Sequence, residues 1–187
     1  MRGRLSVSPG FWAAVLLLWI VDPQLIVPTA AAAGLHEGGH LLALWMLGRR
    51  VDGLRLTALG LELKLGGRAL SYGRELAAAL AGPVVSLLTA WLAARGGHFL
   101  FAGVSLALGL FNLLPVSPLD GGRAFSCLCA LTLPPGICYG VIRWTAVVTA
   151  GLALGLSAAV FGRFGGPTLL FLAVWLAFRA LGGEKDT

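Results

Sequence analysis

One pentapeptide constrains this chain more than any other stretch: His36-Glu37-Gly38-Gly39-His40, set inside an apolar run over residues 26–48. Residues four apart share one face of a helix, so His36 and His40 can grip a single metal ion. Glu37 stands beside them, placed to take a proton from a water that the ion activates. Ionisable groups are costly inside an apolar span and persist there where function holds them. The chain has three histidines, and two of them fall in this window. The plainer alternative is a chance pattern on a packed helix.

The surrounding composition is that of a membrane protein, with 58% hydrophobic and 12% charged residues. No shift in composition marks a second domain, so residues 1–187 are expected to form one membrane-embedded domain. The net charge of +6 comes from basic residues that punctuate the ends of apolar runs. They are not gathered into a patch, so nucleic acid is not an expected partner. Three cysteines, Cys127, Cys129 and Cys138, form no CxxC pair and are expected to be reduced packing residues.

Arg2 and Arg4, an apolar stretch over 11–21 and Ala30-Ala31-Ala32 have the make-up of a cleavable signal peptide. Cleavage there would remove the helix that presents His36, so the segment is read as a retained first span over 10–21. The motif helix, 26–48, is the second span. Gly34, Gly38 and Gly39 give it a thin face that another backbone can approach. Leu61, Leu63 and Leu65 then alternate with Glu62 and Lys64, a strand pattern. Gly66-Gly67 reads as a two-residue turn, 68–72 as the return strand and 51–57 as a third strand. Further spans are expected over 75–94, 99–114, 137–161 and 167–181, with a short helix over 124–133. The fold class is therefore an all-α polytopic membrane protein of about six spans, with a small β-hairpin or sheet between the second and third.

Six spans put both termini on one side. That side then holds Arg2, Arg4, Arg49, Arg50, Arg55, Lys64, Arg68, Arg74, Arg123, Arg143, Arg179 and Lys185, against Arg95 and Arg163 opposite. The positive-inside bias makes it the cytoplasm, with the chain in the cell membrane. His40 lies eight residues before Gly48, ~12 Å of helix from the cytoplasmic end. His98, alone in a polar turn, is expected at an interface rather than on the metal.

A catalytic zinc takes three protein ligands and keeps one open position. Of eight acidic residues, Asp120 alone follows a proline-broken stretch at a depth similar to the histidines. It is the favoured third ligand, with capping of the following helix as the alternative role. Asn112, at the helix break, either holds substrate backbone or satisfies carbonyls freed by Pro115.

His36-Glu37-Gly38-Gly39-His40 and the later Asn112-Leu-Leu-Pro115-Val-Ser-Pro118-Leu-Asp120-Gly121 together resemble the site-2 protease family of intramembrane zinc metalloproteases. Both of that family's core motifs match in full and in order. Ala81-Gly82-Pro83-Val-Val-Ser86 looks like a third family element in which Asn usually stands where this chain has Ser86. The resemblance implies a catalytic core over about 26–123, one Zn2+ per chain held by His36, His40 and Asp120, and Glu37 as general base. Its layout is similar to the branch that processes membrane-associated pro-sigma factors. It thus implies a membrane-associated protein substrate, such as a pro-sigma or anti-sigma factor, and inhibitory membrane partners. That branch carries a C-terminal CBS domain and others a PDZ domain; the sequence has neither, so regulation through them is not expected. Leu61, Leu63 and Leu65 are the candidate strand for holding substrate extended. The rival readings are a membrane metal transporter, which would need further polar residues along a path, and a non-catalytic metal-binding scaffold, which would not need Glu37.

Overall fold

A computed structural model describes residues 4–57, 60–66, 69–164 and 168–181. They form two compact units, Met1–Phe111 and Asn112–Thr187.

The first unit begins with strand β1 (Arg4–Val7) and helix α1 (Pro9–Val21). Pro9 opens α1, where its missing N–H costs no hydrogen bond. A single 3-10 turn, Pro23–Leu25, is started by the Asp22 carboxylate, which accepts from the Gln24 N–H. It leads into α2 (Ile26–Met46), which carries the pentapeptide. Strands β2 (Arg50–Thr57) and β3 (Gly60–Gly66) follow, then α3 (Tyr72–Arg95) and α4 (Phe99–Asn112). Helices α3 and α4 meet at a tight turn in which Gly97 takes a φ of 78°, a left-handed conformation that glycine adopts without cost.

The sheet has the order β1-β2-β3, with β1 parallel and β3 antiparallel to β2. This corrects the sequence-based hairpin. The partner of the Leu61–Leu65 strand is β2 before it, in a register that sets Leu61 opposite Leu56, Leu63 opposite Leu54 and Leu65 opposite Val51. Residues 69–71 are irregular and Tyr72 already begins α3, so no return strand forms there; Gly67 and Arg68 lie outside the described residues. Gly66 has a different reason to be glycine. Asp52 is the extra residue of a bulge in β2, and a Cβ at Gly66 would collide with its carboxylate. Strand β1 carries no alternation long enough to be read from sequence; among the described residues it pairs with β2.

The second unit comprises α5 (Asp120–Thr132), α6 (Pro135–Phe164) and α7 (Thr168–Leu181). Residues 113–119, with a cis peptide between Ser117 and Pro118, fold back against the first turn of α5. A Cβ at Gly121 would strike the Leu113 carbonyl, and one at Gly122 would sit 2.5 Å from the Val116 carbonyl carbon. Val116 and Leu119 are buried under this fold. The two glycines thus let the proline-broken segment lie directly on the helix that begins with Asp120.

Side chains are sorted by size in both units. The buried apolar positions are largely alanine, among them Ala32, Ala79, Ala90, Ala102, Ala150 and Ala173. Large residues such as Trp12, Trp45, Phe99, Leu152 and Phe178 face outward. Small-inside, large-outside packing suits helices in lipid, where no hydrophobic force drives association and close backbone approach supplies the contacts. Among the described residues, Tyr72–Arg95 and Pro135–Ala159 are long and apolar enough to cross a membrane, and Phe99–Asn112 is a shorter apolar helix.

Candidate metal centre

Two histidines on α2 are buried against α3, His36 at 3% and His40 at 7% exposure. Their burial follows from two glycines. Gly39 lies between them, and a Cβ there would stand 2.8 Å from the Ala81 carbonyl oxygen and 2.9 Å from Val85 Cγ2. On α3, a Cβ at Gly82 would collide with the His40 ring. Helices α2 and α3 therefore approach as backbone to backbone, leaving room for two imidazoles and little else. Of the glycines expected to form the thin face of α2, Gly39 does so; Gly34 and Gly38 have open space beside them.

Each ring is held by its Nδ1. His40 Nδ1 lies 2.8 Å from the Ala78 carbonyl oxygen and His36 Nδ1 lies 2.9 Å from Ser86 Oγ. A carbonyl only accepts, so His40 carries its proton on Nδ1 and keeps its lone pair on Nε2. The two Nε2 atoms come within 3.3 Å of each other, with the rings edge to face at 79°. Two nitrogens bound to one tetrahedral zinc stand ~3.3 Å apart, from Zn–N bonds of about 2.05 Å. The histidine pair thus has the spacing that a shared zinc requires.

Asp120 is the first residue of α5, with Leu119 rather than Asp120 at the cap position. Within the first unit His36 and His40 each offer one ring nitrogen to a shared ion, and in the second Asp120 offers a carboxylate from the start of its helix. Two imidazole nitrogens and a carboxylate oxygen are a donor set of the zinc-hydrolase kind. Glu37 is half-buried, next to His36 on α2. Asn112 ends α4, half-buried, and β3 with Leu61, Leu63 and Leu65 is an outer strand of its sheet. His98 is exposed in the turn before α4 and is not a member of the metal group.

Sequence reasoning did not find the roles of Ala78, Gly82 and Ser86 around the histidines. Their spacing was the available signal: 78, 82 and 86 are successive turns of one face of α3 and each is small.

Helices α2 and α3 thus bury a His-x-x-x-His pair whose ring nitrogens converge as a metal ion would require. No protein-family model matches the chain. A protein named as a zinc metalloprotease, Rip3 of Mycobacterium tuberculosis, is 31% identical over 190 residues in each of two strains, covering 91% of this chain. The chain spans about half the length of these curated relatives, 48%. The solved site-2 protease of Methanocaldococcus jannaschii matches the fold with a TM-score of 0.64 at 18% identity, over 98% of this chain and 91% of that one. The chain thus shares its fold with a solved site-2 protease and aligns over most of its length with part of a protein named as a zinc metalloprotease.

Proposed function

We propose that the chain is a zinc metalloendopeptidase that hydrolyses peptide bonds of membrane-embedded or membrane-associated proteins near the cytoplasmic face. The observation that carries this reading is the convergence of His36 Nε2 and His40 Nε2, 3.3 Å apart, with Asp120 as the proposed third ligand. A zinc ion there supplies Lewis acidity and makes water a nucleophile near neutral pH.

The chain's own residues do the rest. His36, His40 and Asp120 hold the ion. Glu37 takes a proton from the attacking water and passes it to the departing amine, so one carboxylate serves as base and then as acid. Asn112 holds substrate backbone beside the helix break. Strand β3 adds the substrate to its outer edge, which keeps the scissile bond extended and out of helix, where its carbonyl would be tied up.

Six spans with both termini in the cytoplasm are supported by the twelve-to-two distribution of basic residues. A metal on this side of the bilayer suits release of a cytoplasmic product, and a membrane-anchored transcription regulator such as a pro-sigma or anti-sigma factor is the proposed substrate. A transporter would need polar groups along a path, and the apolar character of the other helices disfavours it.

The test is cleavage by the purified chain in lipid vesicles, with a membrane-anchored pro-sigma factor as substrate. Glu37→Gln keeps the shape of the side chain and removes the base. It is expected to retain zinc while turnover falls by a factor on the order of 10² or more. Near-normal cleavage by that variant refutes the mechanism.

A further inference from the structure

The two histidines are secured differently. His40 leans on a backbone carbonyl, which no substitution at Ala78 removes and which fixes one tautomer. His36 leans on the side chain of Ser86, a hydroxyl that can accept or donate. If Ser86 donates to Nδ1, the neutral ring carries its proton on Nε2 and has no lone pair there for an ion. If Ser86 accepts, the proton sits on Nδ1 and Nε2 becomes the ligand atom.

Ser86 is itself 2% exposed and is backed by a third helix. A Cβ on Gly109 of α4 would stand 3.1 Å from Ser86 Cβ and 3.3 Å from Leu87 Cδ2. Gly109, Ser86 and His36 therefore form a stack through α4, α3 and α2, in which the serine has little room to shift away from the ring. Asn, the usual residue at the matching place in the family, is bulkier than the serine that α4 closes over here.

We propose that Ser86 is a positioning residue of the metal centre: its hydroxyl accepts the Nδ1 proton of His36 and so presents Nε2 to zinc, with Gly109 holding the serine in place. This rests on the metalloprotease reading, which supplies the ion. Position 86 thus acts on a ligand of the metal.

The experiment measures zinc affinity by chelator competition on the purified full chain in detergent, with helicity and monodispersity as folding controls. Four forms are compared: the wild type, Ser86→Ala, Ser86→Thr and Ser86→Val. Thr and Val have the same shape and differ in the hydroxyl, so any strain against Gly109 is common to both. Ser86→Ala and Ser86→Val are expected to bind zinc about 10- to 100-fold more weakly, the usual effect of losing a partner behind a ligand. Ser86→Thr is expected to stay close to the wild type. Nitrogen NMR of histidine-labelled, zinc-loaded wild type is expected to find the His36 proton on Nδ1. Equal affinity in all four forms overturns the proposal while leaving the protease reading intact, and so does equal weakening by Thr and Val. A wild type that binds no zinc overturns the protease reading, and this proposal with it.

Discussion

His40 donates through Nδ1 to the carbonyl oxygen of Ala78, 2.8 Å away, a bond that ties the motif helix to its neighbour beside the one from His36 to Ser86. The bond spans 38 residues of sequence. It sets the ring's rotation and its tautomer together, so the ligand atom is aimed before any ion arrives. Preorganisation of this kind removes an ordering cost from metal binding.

Metal content tests the ligand set directly. The purified protein is expected to hold about one zinc per chain, and His36→Ala, His40→Ala and Asp120→Ala to lose most of it. Atomic absorption on each variant makes the comparison. Full zinc content in Asp120→Ala would show that another group is the third ligand.

Gly82→Ala is expected to be more damaging than an ordinary glycine-to-alanine change in a helix. Alanine favours helix over glycine by about 1 kcal/mol, so on propensity alone the variant should gain stability. Its new methyl would instead meet the His40 ring, and overpacking of a tight contact costs roughly 1–3 kcal/mol. The expected result is a lower melting temperature and lost zinc. A stabilised variant with normal zinc would refute the close α2–α3 contact.

The outer strand offers a prediction about substrate handling. Leu63→Pro removes a backbone donor and cannot continue a ladder, so cleavage should be abolished while zinc content and membrane insertion persist. Leu63→Val keeps strand character and should be tolerated. Normal cleavage by the proline variant, followed by gel shift, would reduce the sheet to a connection between helices.

Topology is testable without activity. A reporter fused after Thr187 is expected to be active only in the cytoplasm, and one inserted at Gly97 only outside. The opposite pattern would place the metal near the outer face and exclude a cytoplasmic product.

The helices and the close histidine pair were legible in the sequence because each leaves a local signal. Apolar length marks the helices: α1 to α4, α6 and α7 fall within a few residues of the six apolar runs, and α5 begins four residues before the short helix expected over 124–133. The i, i+4 histidines declare their own geometry. The sheet was legible only in part. Leu61–Leu65 alternates clearly, but its partner is chosen by long-range pairing, and Gly66 looked like a turn because the Asp52 bulge that requires glycine is not written in the local pattern. The same holds for Ser86. Nothing in its neighbourhood points to His36, fifty residues earlier, and only the packing of α2 on α3 brings the two together.

Gly82 and His40 compete for one volume. The imidazole fills the volume that a side chain on residue 82 would need, so glycine there is enforced for as long as the histidine stays. A descendant that lost His40 would be released from that constraint and free to gain the helix propensity of alanine. Residue 82 is therefore conditional on residue 40: a methyl that is barred beside the ring becomes admissible once the ring is gone.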